Sequence, residues 1–429
     1  MKTLSSNYTD KPYTDDFGAA RRGTRHNVRM KKQVLIAGGG IGGLAAGIGA
    51  ARAGCDVRLF ERAQKFSEVG AGIQLGPNVV RRLQAWGLQA QLQSVVALPE
   101  ALQVRSAVTG QALARMPLGQ AVVERYGAAY VTIHRADLHA LLLAGLRDYA
   151  EVHLNLAQTI AHYREADGVV TVRTEANKLI EGDALICADG VHSRLRMQML
   201  GDEPPRATGH LAYRAMVRQA EMPQRLRTSQ VTAWLGPRLH VIQYPVRRGE
   251  LQNLVIIVQG PAPRDMERWD HAANAQDLET VLAGACSALQ DLVRSVPRAG
   301  WRLWPLADRP PLRSHAEMAQ GLVALLGDAS HPMRPYLAQG AGMAIEDAAE
   351  LQRALSMHDL DVALRLRRYA LNRWQRNARV QARSQRNGRI FHATGPVRWG
   401  RDAALKLLGA RVMDLPWLYR GDGSSASSL

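Results

Sequence analysis

A thirty-residue stretch, QVLIAGGGIGGLAAGIGAARAGCDVRLFER over residues 33–62, limits the possible fold more than any other part of the chain. Val34-Leu35-Ile36-Ala37 is a short apolar run of the kind that forms a buried parallel strand. Gly38, Gly40 and Gly43 then spell G-x-G-x-x-G, an Ala-rich helical segment follows, and Gly54 ends it. A second strand over 56–60 runs into Glu61. In such a βαβ unit the first glycine permits a tight turn and the second lets backbone approach a pyrophosphate. The third lets helix pack on strand. The pyrophosphate lies against free N–H groups at the positive end of the helix. An acid about twenty residues on accepts the ribose 2′-hydroxyl, so Glu61 favours FAD or NAD over NADP at this turn. A glycine triplet alone is weak evidence; strand, glycines, helix, strand and acid in that order are strong.

The chain has 429 residues, enough for a large core and two lobes. It has no apolar run of eighteen or more residues and no apolar leader at its start, which argues against a membrane span and a secretory signal. Cys55, Cys187 and Cys286 are scattered and match no metal-ligand spacing or disulfide framework, which suits a reducing cytoplasm. The net charge of +17 raises nucleic-acid binding as a reading. The excess is spread along the chain without aromatic interleaving, so a basic surface that draws anionic small molecules is preferred. No nucleic acid, membrane or metal is expected.

Residues 1–30 are polar and aperiodic and read as a disordered tail, and Met30 is an alternative start. A second glycine-rich loop, Glu68 to Asn78, leads into a helix. Residues 102–118 read as a hairpin, and Arg135 stands at the entry of a helix. A further apolar strand ends at Asp189-Gly190, the carboxyl end where open α/β sheets bind ligands. Short alternating segments over 209–258 read as an antiparallel second lobe, with an amphipathic helix over 277–296 packed on it. The chain returns through Gly327-Asp328, a loop stiffened by Pro332 and Pro335, and a helix opening at Gly340-Ala341-Gly342. Residues 360–389 are Arg-rich and helical and read as a solvated face. The boundaries are a tail at 1–30, a dinucleotide lobe at 31–200 with strands of the other lobe near 100–130, and a sheet lobe at 201–305. A return segment covers 306–395, and a helical segment with a polar tail covers 396–429.

Three separated motifs stand in a fixed order: Gly38-x-Gly40-x-x-Gly43 ending in Glu61, Asp189-Gly190, and Gly327-Asp328-Ala329-Ser330-His331-Pro332. Together they resemble the single-component FAD-dependent aromatic hydroxylases. Within that group, GAGIQLGPN (70–78), IHRADLH (133–139), GHLAYRAMV (209–217) and HPMRPYLAQGAGMAIEDA (331–348) resemble the 3-hydroxybenzoate, salicylate and 6-hydroxynicotinate branch. The resemblance implies an α/β fold: a Rossmann-like FAD-binding domain with an inserted antiparallel-sheet substrate domain and C-terminal helices, as in p-hydroxybenzoate hydroxylase. It implies that Gly42, Glu61, Arg62, Gln74, Arg135, Asp328 and Ala341 touch FAD, and that Gly340 to Gly342 present backbone to the flavin. Asp189-Gly190 would serve both FAD and NAD(P)H, with NADH favoured. Ser330 and Gly342 depart from residues common in the group, which bears on substrate more than on flavin use.

Side chains alone cannot activate dioxygen, so this chemistry needs the cofactor. The resemblance implies that NAD(P)H reduces FAD and that O2 supplies the atom entering an electron-rich ring. His210 and Tyr213 are the candidates for removing the phenol proton. Three apart on a regular strand they face opposite sides, so one would reach the ring while the other supports the strand, unless a bulge turns both inward. Pro332 fixes the loop over the flavin, Tyr336 lines the ring site, and Arg214 is a candidate partner for a substrate carboxylate. The best reading is 3-hydroxybenzoate 6-hydroxylation to gentisate, on a small aromatic carboxylate with O2, in a monomer or homodimer. Decarboxylative hydroxylation of salicylate or 6-hydroxynicotinate is the alternative, and a non-catalytic FAD-binding redox sensor is the rival from another class.

Overall fold

A computed structural model of the protein describes residues 31–66, 71–261, 271–273 and 275–421. The tail read over 1–30, the 68–70 part of the second glycine loop and the end of the polar tail lie outside the described residues. Strand Gln33–Ala37 is central in a six-stranded sheet. It pairs in parallel with Asp56–Phe60 on one side and Ala184–Cys187 on the other. Val152–Asn155 and Val323–Leu325 extend the sheet in parallel, and only the edge strand Ala319–Gln320 runs antiparallel. Its middle strands are continuous apolar runs because helices cover both faces of such a sheet.

Helix Ile41–Arg52 follows the first strand and packs against the return helix Gly340–Leu355. The contact is backbone-close: a side chain at Gly49 would meet the Ala348 carbonyl oxygen at 2.5 Å. This brings the two helix N-termini to the same edge of the sheet, the carboxyl ends of its strands.

A second sheet has eight strands, including the hairpin Ala101–Ser106 and Ala112–Pro117. Arg206–Arg218 lies between Leu251–Gln259 and Arg302–Asp308, antiparallel to both. One pairing, Val231–Gly236 with Ala101–Ser106, is parallel. Side chains alternate across the sheet. Leu211, Tyr213 and Ala215 point into a cluster with Leu278, Leu289 and Trp301, whereas Ala212 joins Val255, Ile257, Trp304 and Tyr336 on the inner face. The outer cover is two helices, Ala275–Val281 and Ser287–Arg294, and not the single helix read over 277–296. Gly284 and the extended N-cap at Cys286 break it.

The long helix Val362–Phe391 also differs from its reading as a solvated face. Arg365, Arg373, Asn377, Gln381, Ser384 and Asn387 are buried along one side. Arg373 is fully buried, donating from Nε to Asp347 (2.8 Å) and from Nη1 to Glu346 (3.0 Å). No helix among the described residues is long and apolar enough to cross a membrane.

Candidate active site

At the dinucleotide end, Gly38 takes φ +102°, and a side chain there or at Gly43 would run into a backbone carbonyl. Gly40 differs: nothing lies within 4 Å of where its side chain would point, so this glycine keeps open the surface that a pyrophosphate would occupy. Glu61 takes the Gly39 N–H on one oxygen (2.7 Å) and the Ala63 N–H on the other (2.8 Å), which fixes it at the end of the second strand. Arg62 beside it is exposed. His139, to which the sequence reading gave no role, is buried and bonds the Gly39 carbonyl through Nε2 (2.8 Å). Its position one helical turn after Arg135 was the available signal.

Arg135 opens helix Arg135–Arg147, and its N–H bonds the Ala71 carbonyl (2.7 Å). Gln74 accepts from the Tyr130 hydroxyl (2.6 Å). The Asp189 carboxyl keeps one buried oxygen without a partner. Burial holds it above the usual carboxylate range, against the pull of the Ser193 hydroxyl. Gly190 beside it has φ +87°. Asp328 is exposed at the end of its strand, facing Gly340. The return helix carries no side-chain cap, so the N–H groups at Gly340, Ala341 and Gly342 are presented bare. Gly42 is packed between Leu326 and Ala344. A side chain at Gly342 would press on Val79 at 2.8 Å, which explains glycine there in this chain.

These features fit FAD: an open glycine edge, an acid on the second strand, an orphaned carboxylate oxygen and an uncapped helix start on one sheet edge. Among the described residues no group of His, Cys, Asp and Glu is arranged to hold a metal ion.

At the ring end, the loop with Pro332 and Tyr336 is held from behind by the long helix. Gln381 donates to the Pro332 carbonyl (2.9 Å), Ser384 to that of Arg334 (2.5 Å) and Asn387 to that of Tyr336 (3.1 Å). This ladder at every third residue fixes the loop, and the proline adds stiffness of its own. Behind it, Asn78, Glu346, Asp347, His331, Arg373 and Asn377 form a buried polar network. Burial alone would raise both carboxyls, but Arg373 with Arg376 brings Glu346, and His331 with Arg373 brings Asp347, down to about 2.

His210 is buried on the inner face and bonds the Tyr336 hydroxyl through Nδ1. Burial first, then Arg334, lowers its pKa and keeps the ring neutral. Arg214, four residues on, shares that face and stacks 3.9 Å above Trp304. Its Nε is buried without a partner, and burial pushes the guanidinium down to about 10. Tyr213 is not brought together with these groups. It lies in the outer cluster beneath the two helices, because successive side chains of a strand alternate. His240 and His392, which the sequence reading left without roles, join His210 and Tyr336 in one ring cluster.

The FAD binding domain family matches residues 31–391, and the chain belongs to that family. It is 36% identical over 389 residues to 3-hydroxybenzoate 6-hydroxylase of Polaromonas naphthalenivorans, covering 90% of this chain and 95% of that one. It is also 36% identical to 6-hydroxynicotinate 3-monooxygenase of Bordetella bronchiseptica, covering 83% and 91%. A salicylate hydroxylase substrate complex superposes with a TM-score of 0.77 at 26% identity, covering 91% of this chain and 96% of that one. Klebsiella pneumoniae HpxO with FAD and uric acid shares the fold, with a TM-score of 0.80 at 24% identity over 90% and 96% of the two chains. The chain is therefore an FAD-dependent aromatic hydroxylase, a flavoprotein monooxygenase with NAD(P)H as co-substrate.

Proposed function

We propose that the substrate is a small hydroxylated aromatic carboxylate and that the reaction is ring hydroxylation, with 3-hydroxybenzoate giving gentisate as the specific assignment and NADH as the reductant. The observation that carries this reading is the inner face of strand Arg206–Arg218. It presents a neutral histidine and, four residues on, an arginine with no carboxylate partner among the described residues. Along a strand the two Cα atoms stand about 13 Å apart, a span that two long side chains and a benzoate fill between them. The 3-hydroxybenzoate 6-hydroxylases among the relatives support the assignment.

Bound FAD, once reduced, supplies the activated oxygen that no side chain here can. The protein binds, orients and deprotonates the substrate. His210 takes the phenol proton at Nε2, since Nδ1 faces Tyr336. The resulting phenolate makes the ring positions ortho and para to it more nucleophilic. Arg214 pairs with the carboxylate and sets which ring carbon faces the flavin edge. Pro332 and Tyr336 close the site against water, and Tyr213 supports the strand from its other face.

The test is a screen of hydroxylated aromatic acids that scores NADH loss, product and CO2. Gentisate without CO2 from 3-hydroxybenzoate is the expected outcome; CO2 release from salicylate or 6-hydroxynicotinate would move the assignment to decarboxylative hydroxylation. In the same assay His210→Ala is expected to uncouple NADH oxidation from hydroxylation, and an unchanged product yield would remove His210 from the chemistry.

A further inference from the structure

On the outer face of the eight-stranded sheet, the side away from His210 and Arg214, a polar row interrupts the apolar cover. Gln103, Thr232 and Gln243 stand at one register on three adjacent strands, Ala101–Ser106, Val231–Gly236 and Leu239–Val246. Two residues along, Arg105 stands beside Trp234, which belongs to the outer cluster. Leu254, the next neighbour of Gln243 across the sheet, is already part of that apolar cluster. The polar row, Arg105 and Trp234 line a cavity of about 330 Å³ that Leu226 and Leu292 border with apolar groups. Its volume lies at the lower end of the range for small-molecule sites, about 300–1,000 Å³.

The cavity offers hydrogen bonds and positive charge together. Thr232 is 4% exposed and Gln243 6%. The Gln243 oxygen accepts from the Trp234 indole (3.0 Å), which leaves the amide nitrogen as a donor. Neither that nitrogen nor the Thr232 hydroxyl meets a partner among the described residues. Polar groups placed so deeply are costly without one. Arg105 lies 4.9 Å over the Trp234 ring and is tied through Nε and Nη2 to the Gly110 carbonyl. Arg227, also in the lining, is tied through Nε and Nη2 to the carbonyls of Met222 and Ala220. Both guanidiniums are thus held in place, and each keeps Nη1 for a ligand. Arg225, the third arginine of the lining, is exposed and paired with Asp291 (3.0 Å). Among the described residues no Asp or Glu lines the cavity, so the charge of Arg105 and Arg227 is left for an anion.

We propose that this cavity is a second ligand site, separate from the ring site, and that it takes a small aromatic carboxylate. The carboxylate pairs with Arg105 and Arg227, whose planar forks match its geometry. The ring lies against Leu226, Leu292 and Trp234, and a ring hydroxyl meets Thr232 and the Gln243 amide. The step is binding alone; no bond is made or broken. The two sites stand on opposite faces of one sheet, because neighbouring side chains of a strand alternate: Gln243 faces outward and Tyr244, which packs at Gly72, faces inward.

The test reads the two sites apart. Oxidised, FAD-loaded enzyme without NADH is dialysed to equilibrium against 3-hydroxybenzoate, and the same titration is followed by flavin absorbance. Two molecules per chain are expected, one that perturbs the flavin spectrum and one that does not. Gln103→Leu/Thr232→Val is expected to lose the flavin-silent molecule and keep the other. Arg227→Gln, at an exposed position, is expected to weaken the silent site by about ten-fold or more, as loss of one charge-assisted hydrogen bond does. Inorganic phosphate at the concentration of the aromatic acid is expected to leave the silent molecule bound. Absence of a flavin-silent molecule in the wild type, or its retention at full affinity in both variants, would overturn the second site. Displacement by phosphate would overturn its aromatic ligand. A silent molecule without any flavin response would support this site and count against the ring-site assignment instead.

Discussion

Arg214 sits on the inner face of strand Arg206–Arg218 against Trp304, and its charge is not met by a carboxylate among the described residues. A charge-assisted hydrogen bond to a substrate carboxylate contributes about 1.5–3 kcal/mol. Arg214→Gln is therefore expected to raise the KM for an aromatic acid by about 10–100-fold. Binding of the matching phenol without a carboxylate should change little. Equal losses for acid and phenol in steady-state assays would show that Arg214 acts by packing on Trp304 instead. His210 and Tyr213 show how little separation in sequence means on a strand: three residues apart, they lie on opposite sides of a sheet.

The glycines of the turn between the first strand and helix Ile41–Arg52 are not equivalent. Gly43 abuts the Gly38 carbonyl, whereas Gly40 faces open space at an ordinary φ of −72°. Gly43→Ala should lower the melting temperature of the flavin-free protein. Gly40→Ala should fold and melt normally without FAD yet bind FAD weakly, because its methyl group occupies the pyrophosphate's place. Flavin titration and melting curves of both variants distinguish the two roles. The return and long helices depend on one buried cation. Arg373→Met takes from Glu346 its main partner and from Asp347 its second after His331, in a dry interior, a change expected to cost about 3–5 kcal/mol in urea unfolding. An effect below 1 kcal/mol would show that Arg376, His331 and Asn377 suffice.

For the whole molecule, buried ionisable groups set the acid limit of stability. His392 is lowered from 6.5 to about 3 by burial, His210 and Arg401, and His240 is held well below 6.5 for the same first reason. The native state therefore binds fewer protons than the unfolded chain below pH 6.5, so stability falls as pH drops from there towards 3. The Glu346 and Asp347 carboxyls, held at about 2, add a second loss that begins below their ordinary values of 4.5 and 3.8. Urea midpoints should decline steadily from pH 7 to 4, and His392→Gln should flatten the upper part of that decline. A pH-independent midpoint over this range would contradict the buried neutral histidines.

The sequence by itself determined the βαβ turn with Glu61, the strand ending at Asp189, the return through Asp328 to the helix at Gly340, and the alternating strands of the second sheet. These follow from local causes: side-chain period, glycine backbone freedom and the fixed φ of proline. Only the tertiary structure decided which face of strand Arg206–Arg218 is the inner one, since alternation separates two faces without saying what each will meet. Only it brought His392 against His240, 152 residues earlier, and buried Arg373 against carboxylates 26 and 27 residues before it. An arginine-rich helix reads as solvated until its partners are known, because the desolvation cost of a charge is offset by groups that no local pattern predicts.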